Sequence, residues 1–284
     1  MSVSKNSGTI LSAKTTKIFS NFAIAKIIIL KLPGNISYLI RSKENEKLPD
    51  VFNEFILDSM FQMSSFIDCC EYRANKFADS TELSVTDYGT GKSGIRKVKK
   101  IARSSSTEPR YGGVVQKIID SFKVETALEL GTSIGIGTMF LAKVNPKVKV
   151  TTIEGCPETY KFAKEEFTKR KITNVTFIND NFDHLFDSDT LKGQKFDLVV
   201  IDGNHTYEAT LKYFNNILNN HCEQKSIIII DDINWSRDMF RAWSEISFAT
   251  PNSLRLNLFR MGIIFTGYDL PQAEIKAEIY KEGM

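Results

Sequence analysis

Strand-type runs alternate with helical stretches after Val124, and this alternation limits the fold more than any other feature of the sequence. Five runs are rich in β-branched and apolar residues, at 126–130, 148–153, 175–178, 196–201 and 226–230. Helical spacing predicts helices near 136–144, 157–171, 206–219 and 236–247. Alternation of this kind predicts right-handed β-α-β units, that is, an α/β fold whose doubly wound, mostly parallel sheet has helices on both faces.

Two further patterns place the last strands of this sheet. The unbroken apolar run at 227–230 is typical of a central strand that is buried on both faces. Residues 254–258 and 262–268 flank a tight Arg-Met-Gly turn, which predicts a C-terminal antiparallel hairpin at the edge of the sheet.

The chain before residue 110 has a different pattern. Apolar residues recur at helical spacing from Val51 to Lys76, and a turn-rich stretch at 86–94 separates them from a basic helical piece at 95–102. A further helix is predicted over 112–122. We therefore predict a mainly helical N-terminal extension over 1–109 and one α/β domain over 110–284.

Composition excludes several classes of protein. With 284 residues, 42% of them hydrophobic, the chain can bury a large core, which excludes a disordered or disulfide-stapled protein. A net charge of +3 provides no strong field for nucleic acid. The charge is uneven, because residues 1–120 hold 18 basic and 12 acidic side chains whereas 121–284 hold 19 and 22.

Cysteine usage and hydropathy bear on location. The four cysteines form no C-x-x-C pair, so we expect a reduced, cytoplasmic protein. The apolar segment 22–33 is too short to span a bilayer and contains Lys26 and Lys31. We expect a buried or surface-packed amphipathic segment there, with a membrane-surface helix or a signal peptide as the alternative, and no stable membrane insertion.

Acids and glycines follow all five strand-type runs. Ligands of an open parallel sheet bind beyond the carboxyl ends of its strands, so these positions are the candidate site. They are Glu129 to Gly137, Glu154 with Gly155, Asp180 to Asp183, Asp202 to His205, and Asp231 with Asp232.

The first of these turns differs from a dinucleotide fingerprint. Its glycines fall at 131, 135 and 137, and Glu129 stands two residues before the first of them. A glutamate there would repel a pyrophosphate and suits a cationic ligand, while Glu154 is placed to accept both hydroxyls of a ribose. An amino-acid ammonium on a nucleoside meets both conditions. The alternative is a purely structural turn that closes a β-α unit.

On these residues the chain from about 110 to 265 resembles the class I S-adenosylmethionine-dependent methyltransferases, which have a Rossmann-like fold. Within them it resembles the metal-dependent small-molecule O-methyltransferases of the catechol, caffeoyl-CoA and macrolide-sugar types. The resemblance implies that S-adenosylmethionine places its methionine on the glycine turn, its ribose on Glu154 and its adenine beside the third strand end. The implied cofactor residues are Glu129, Gly131, Thr132, Ser133, Gly135, Gly137, Thr138, Glu154, Gly155, Asn181, Phe182, Asp183 and Asp202.

One position departs from the catechol-type pattern, which has serine where this chain has Gly137. The polar contact of that serine either passes to Thr138 or is lost.

The fourth and fifth strand ends are the candidate chemical centre. Asp202, Asp231 and Asp232 would converge there, and three carboxylates repel one another unless protons or a divalent cation intervene. Oxygen ligands suit Mg²⁺, with Mn²⁺ or Ca²⁺ as alternatives. His205 falls where the resemblance implies a catalytic base, which would take the proton of a metal-bound hydroxyl.

Each of these residues also has a plainer interpretation. His205 could be a loop residue, Asp232 could cap the helix that starts near Ser236, and Trp235 could pack rather than wall a substrate pocket. We expect His184 and His221 at the surface.

The front half contains one decoy and one candidate lid. Gly91-Lys92-Ser93 imitates the end of a phosphate-binding loop, but the motif needs glycine where the chain has Thr86. By analogy with other methyltransferases, residues 85–94 are expected to fold over the site as a lid. The basic residues at 96, 97, 99 and 100 are either a solvated helix face or a site for an acidic substrate.

The sequence therefore predicts metal-assisted methyl transfer from S-adenosylmethionine to a hydroxyl. The alternatives are metal-independent N- or carboxyl-methylation and a non-catalytic S-adenosylmethionine-binding protein. We expect a small-molecule acceptor, which the basic front half favours as anionic, no nucleic acid partner, and a homodimer as a candidate assembly.

Overall fold

A ten-stranded sheet organises the part of the chain that the computed structural model describes, namely residues 28–32, 36–42, 63–89 and 91–281. The strands in chain order are β1 (Ile28–Leu32), β2 (Ile36–Ser42), β3 (Glu82–Val85), β4 (Gly94–Lys97), β5 (Thr126–Leu130), β6 (Lys149–Glu154), β7 (Val175–Asn179), β8 (Phe196–Ile201), β9 (Cys222–Ile230), β10 (Leu254–Asn257), β11 (Gly262–Thr266) and β12 (Glu274–Lys281). Strands β3 and β4 form a separate antiparallel hairpin.

Eight helices accompany these strands in the described residues. They are α1 (Met63–Ala78), α2 (Val98–Ser105), α3 (Pro109–Ser121), α4 (Ile136–Lys143), α5 (Pro157–Lys169), α6 (Phe182–Asp187), α7 (Tyr207–Asn220) and α8 (Arg237–Ala249). None of the helices in the described ranges is both long enough and apolar enough to cross a bilayer.

The sheet has the order β1-β2-β12-β10-β11-β9-β8-β5-β6-β7. The five strands predicted after Val124 are its parallel part, β7-β6-β5-β8-β9. Chain order reverses at β5, which lies between β6 and β8. In a doubly wound sheet this reversal opens a crevice at the carboxyl ends of the strands. The predicted α/β fold and the predicted helices on both faces are confirmed.

Side chains of the central strand alternate between two hydrophobic clusters. Ile227 and Ile229 pack with apolar residues of α1 to α4, whereas Ile228 and Ile230 pack with apolar residues of α6, α7 and α8. All four are fully buried. Because residues i and i+2 of a strand face the same side, an unbroken apolar run is needed to fill two cores at once.

The predicted C-terminal hairpin forms, but it does not lie at the sheet edge. Strand β11 pairs antiparallel with β9, so that Gly262 stands opposite Ile230, and β10 pairs with β11. Strand β12, which the sequence patterns did not predict, then pairs parallel with β10, and β2 and β1 follow it.

The described residues of the N-terminal part contain strands as well as the predicted helices. Its strands β1 and β2 join the main sheet through β12. The predicted basic helix over 95–102 is wrong for its first residues, because Ile95 to Lys97 belong to the β3–β4 hairpin and the helix begins at Val98. The helix predicted from Val51 is described from Met63 onward, and 43–62 lies outside the described residues.

Candidate active site

A cavity of about 290 Å³ lies beyond the carboxyl ends of β5, β6, β7 and β8. On the sheet side it is lined by strand-end residues, and on the opposite side by residues 85–89 of the β3–β4 hairpin. The predicted cofactor residues that line it are Gly131, Ser133, Glu154, Gly155, Asn181, Phe182, Asp183 and Asp202.

The turn after β5 allows two strand ends to approach closely. Gly131 has a φ of +111°, and a Cβ built there would lie 1.9 Å from the carbonyl oxygen of Asp202. Gly135, with a φ of +81°, then caps helix α4 in the left-handed region. Both positions favour glycine because a side chain is disfavoured at positive φ. The turn thereby brings main-chain atoms of β5 and β8 together at the cavity wall.

Glu154 is held rigidly at the end of β6. Its Oε2 accepts a hydrogen bond from the Ser133 amide at 2.6 Å, and its Oε1 accepts one from the Cys156 amide at 2.8 Å. Burial raises the pKa of Glu154, although these two amide hydrogen bonds oppose the shift. Each carboxylate oxygen has a second lone pair, so the fixed group can still accept hydroxyl hydrogen bonds from a ligand.

Glu129 faces away from the large cavity, into a smaller one shared with Gly137, Asp202 and Asp231. The hydroxyls of Thr138 and Thr152 donate to its Oε2 at 2.5 and 2.6 Å. The side chain is almost completely buried, and this burial raises the pKa of Glu129 to about 7.

Gly137, the position that departs from the catechol-type pattern, lies against the Glu129 carboxylate. A Cβ at Gly137 would lie 2.8 Å from Oε1 of Glu129, so a larger residue would have to displace the carboxylate. Thr138, the next residue, supplies a hydroxyl to the same carboxylate. Whether the polar contact passes to Thr138 or is lost therefore stays a prediction, since the Thr138 hydroxyl is engaged by Glu129 in the core.

The turn after β7 provides an apolar wall. The Phe182 ring packs edge-on against Tyr213 at a centroid distance of 5.5 Å and approaches the Gly203 backbone. Asn181 caps helix α6 by accepting a hydrogen bond from the His184 amide at 2.8 Å. Asp183 pairs with Lys212 at the surface.

The three predicted acids converge as expected, but a cation of the chain lies among them. The Arg260 guanidinium contacts Asp231 through Nε (3.2 Å) and Nη2 (3.0 Å), and its Nε lies 3.0 Å from Oδ1 of Asp232. Burial, and then the charges of Asp231 and Asp232, raise the pKa of Asp202 well above its usual value. Burial and Asp231 likewise raise the pKa of Asp232.

This arrangement differs from the predicted metal site. Within the described residues, no group of three Asp, Glu, His or Cys side chains is arranged to hold a metal ion. A cation such as Mg²⁺ needs oxygen lone pairs directed at one point, whereas both oxygens of Asp231 and Oδ1 of Asp232 are engaged by the guanidinium. The residues present therefore do not fit the metal that the sequence predicted at Asp202, Asp231 and Asp232.

His205 stands at the rim of this acidic cluster. Its Nε2 lies 3.7 Å from Oδ1 of Asp202 and 4.0 Å from Oδ2 of Asp232. The Trp235 ring, 64% exposed, lies 6.0 Å from the imidazole. Asp232 does not cap helix α8, because the Ser236 side chain accepts the capping hydrogen bond from the Met239 amide.

Several predicted residues point elsewhere. The Thr132 hydroxyl lies 2.5 Å from that of Thr152 in the core, and Thr138 is fully buried against Glu129, so both support the site from behind. The expectation for His221 is wrong, because it is buried with its Nδ1 3.1 Å from the Gln194 carbonyl oxygen. His184 is exposed, as expected, and pairs with Asp180.

The decoy motif lies in the turn between β3 and β4. A strand rather than a helix follows Gly91-Lys92-Ser93, so the motif lacks the helix N-terminus that a phosphate-binding loop requires. The same hairpin places Tyr88 over the cofactor cavity, where its ring lies close to Gly155. Arg96 lines the cavity and pairs with Asp87 at 3.0 Å.

Motif reasoning did not identify Arg260 or Tyr88 as site residues. The place of Arg260 beside the acids could nevertheless be inferred from the predicted hairpin. If the hairpin pairs antiparallel with β9, its turn must lie beside the carboxyl end of β9, where Asp231 and Asp232 stand.

Comparisons with known proteins agree with this geometry. Residues 128–233 match a family model described as a methyltransferase domain. No curated protein matches the sequence. A Podospora anserina methyltransferase solved with S-adenosylhomocysteine is 17% identical with a TM-score of 0.54, over 79% of this chain and 99% of that chain.

Two further solved structures share the fold. An O-methyltransferase from Bacillus cereus in complex with S-adenosylhomocysteine is 18% identical, with a TM-score of 0.50 over 76% of this chain and 94% of that chain. The Streptomyces achromogenes O-methyltransferase of tomaymycin synthesis, in complex with S-adenosylmethionine, is 13% identical, with a TM-score of 0.50 over the same shares. Residues 128–233 of this chain therefore match a methyltransferase domain, and the described structure has the fold of these solved methyltransferases.

Proposed function

We propose that this chain is a methyltransferase that transfers the methyl group of S-adenosylmethionine to a hydroxyl oxygen of a small molecule, with His205 as the general base. The observation that carries the proposal is the position of the His205 imidazole, between two carboxylates at the edge of the cofactor cavity. The structural neighbours described as O-methyltransferases support oxygen as the acceptor atom.

The cavity residues fit S-adenosylmethionine. Glu154 offers a fixed carboxylate for ribose hydroxyls, and Phe182 offers an aromatic wall for adenine. Glu129 and Asp202 border the smaller adjoining cavity, where they suit the cationic ammonium of the methionine part. Tyr88 closes the cavity from the hairpin side, which supports the predicted lid.

The cofactor supplies an electrophilic methyl group, which an acceptor oxygen takes while the electrons of the carbon–sulfur bond remain on sulfur. His205 accepts the hydroxyl proton as the oxygen attacks, and the acids around it stabilise the resulting imidazolium. The remaining task of the protein is alignment of oxygen, carbon and sulfur, which rests on the rigid strand ends.

The acceptor we propose has an apolar body that carries the reacting hydroxyl. Trp235 and Phe259 are both exposed; the Trp235 ring lies 6.0 Å from the His205 ring, and Phe259 precedes Arg260 in the hairpin turn. Exposed aromatic side chains beside polar groups are typical of small-molecule sites. The anionic acceptor favoured by the basic front half remains a prediction, since Arg96 and Lys97 are already paired with Asp87 and Glu82.

The variant His205→Gln tests the proposed base. A panel of phenols, sugars, amines and carboxylic acids is incubated with S-adenosylmethionine, and the methylated product is identified by mass spectrometry. We expect O-methylation of a hydroxyl acceptor, and we expect His205→Gln to lower kcat about 100-fold or more. The exposed His184→Gln is the matched control and retains full turnover.

Three results would contradict the proposal. Unchanged turnover in His205→Gln would exclude the base, and exclusive methylation of amines or carboxylates would favour the alternative activities. If calorimetry shows S-adenosylhomocysteine binding while no compound in a broad panel is methylated, a non-catalytic binding protein becomes the better interpretation.

A further inference from the structure

An arginine that is itself fixed in place pairs with two of the three acids at the strand ends. Nε and Nη2 of Arg260 hold the two oxygens of Asp231, and Nε also approaches Asp232. A planar guanidinium that engages both oxygens of a carboxylate has a defined orientation. The Asp231 side chain is only 5% exposed, so this ion pair is shielded from water.

The backbone around Arg260 holds the side chain at this position. Its carbonyl accepts a hydrogen bond from the Ile233 amide at 2.9 Å, and its amide donates to the Leu258 carbonyl at 2.8 Å. The first bond joins the hairpin turn directly to the residue after Asp232. On its outer side the guanidinium faces Glu108, with Nη1 3.9 Å from Oε1, and the ring of Tyr111.

Arg260 supplies one of the positive charges that the acidic cluster needs. Asp202, Asp231 and Asp232 repel one another unless a positive charge or protons intervene. Arg260 is such a charge, and its N–H groups engage both oxygens of Asp231 and Oδ1 of Asp232, three of the oxygens that a divalent cation would otherwise bind. Oδ1 of Asp202 lies 3.7 Å from Nε2 of His205, the second basic side chain at the cluster.

We propose that Arg260 is the resident cation of this active site and takes the place of a divalent metal, so that methyl transfer by this chain requires none. Arg260 acts as a positioning residue: it binds Asp231 and Asp232 and thereby fixes the carboxylate that stands 4.0 Å from His205. The expected effects on turnover rest on the proposed function, whereas the expected effects on metal binding do not.

Metal binding by the full-length protein gives the first test, with Mn²⁺ alone as the probe. The protein is stripped with EDTA, dialysed, and titrated while free Mn²⁺ is followed by electron paramagnetic resonance. We expect no specific site in the wild type. In Arg260→Ala the three carboxylates lose their cation, and we expect Mn²⁺ affinity to rise about tenfold or more.

Two controls define the site. Arg237→Ala removes an exposed arginine on the nearby helix α8 and should leave Mn²⁺ binding at the wild-type level. The double variant Asp231→Asn/Arg260→Ala should lose the affinity gained by Arg260→Ala. Binding of S-adenosylhomocysteine by each variant shows that it is folded, and Arg260→Gln replaces Arg260→Ala if the latter does not fold.

Turnover gives the second test. We expect wild-type turnover to be insensitive to EDTA, Arg260→Ala to lower it about 10- to 100-fold, and Arg260→Lys to restore part of the loss. The inference would be overturned if the wild type bound Mn²⁺ and Asp231→Asn abolished that binding. It would also be overturned if EDTA abolished wild-type turnover and Mg²⁺ restored it. A protein without any methyl transfer would refute the proposed function, while the Mn²⁺ titration would still decide the role of Arg260.

Discussion

Gly131 faces the main-chain carbonyl of Asp202 so closely that a Cβ on Gly131 would lie 1.9 Å from the Asp202 oxygen. The contact joins the turn after β5 to the end of β8, the two strands between which the chain order reverses. The absence of a side chain at Gly131 therefore allows the turn after β5 to lie against the end of β8, where the acidic cluster begins.

Gly131→Ala should consequently destabilise the protein by more than about 2 kcal/mol, because it combines a backbone clash with a positive φ. Chemical denaturation measures the change. Gly193→Ala is the matched control, since Gly193 has a φ of +73° with open space around its Cα, and it should cost only about 1 kcal/mol. Equal losses in the two variants would show that the contact with Asp202 is unimportant.

Glu154→Gln should weaken S-adenosylhomocysteine binding about 10- to 100-fold. The amide group of glutamine would direct N–H groups at the Ser133 or Cys156 amide, where the carboxylate now accepts from both. Isothermal titration calorimetry measures the affinity. The exposed Glu158→Gln, in the first turn of α5, should bind like the wild type; an affinity of Glu154→Gln equal to that of this control would argue against Glu154 as a cofactor residue.

Tyr72→Phe tests whether helix α1 supports the cofactor turn. The buried Tyr72 hydroxyl donates to the Ile134 carbonyl at 2.7 Å, within the turn that follows β5. Loss of this hydrogen bond should cost about 1 kcal/mol of stability and lower S-adenosylhomocysteine affinity by a few-fold. Tyr160→Phe, which removes a surface hydroxyl, should change neither quantity. Wild-type affinity for S-adenosylhomocysteine in Tyr72→Phe would show that α1 does not contribute to cofactor binding.

Glu129→Gln should change how stability depends on pH. Burial raises the pKa of Glu129 from the usual 4.5 to about 7, so the folded protein retains a proton that the unfolded chain has released. The stability associated with this proton is complete below about pH 4.5 and is lost as pH rises through 7. The wild type should therefore lose roughly 1–3 kcal/mol relative to Glu129→Gln between pH 4.5 and 7.5.

Urea denaturation at several pH values, without cofactor, provides the comparison. Glu125→Gln, at an exposed position just before β5, is the control and should follow the wild-type curve. Parallel curves for the wild type and Glu129→Gln would mean that Glu129 is ionised throughout this range.

The parallel core of the fold could be predicted because its signals are local. Period, length and β-branched content mark each of β5 to β9, and the apolar run at 227–230 corresponds to the strand whose two faces fill two cores. The rule that ligands bind at strand ends then located Glu154, Asp202, Asp231 and Asp232 around the site. The direction of the Thr132 and Thr138 side chains, both turned into the core, had no such local signal.

The pairings made by distant segments were beyond the reach of local patterns. Strand β12 and the N-terminal strands β1 and β2 extend the sheet through contacts far apart in the chain. Ile95 to Lys97 continue the helical pattern of the residues that follow, yet pairing with Glu82 to Ser84 makes them a strand, because cross-strand partners outweigh a short helical pattern.

The sequence by itself determined the order of strands and helices and the acids and glycines that end each parallel strand. Only the tertiary structure decided which charge balances those acids. Antiparallel pairing of β11 with β9 brings Arg260 to Asp231 and Asp232 across a separation of nearly thirty residues. Charge neutralisation depends on distances of a few ångströms, and residue spacing along the chain does not specify such distances across a sheet.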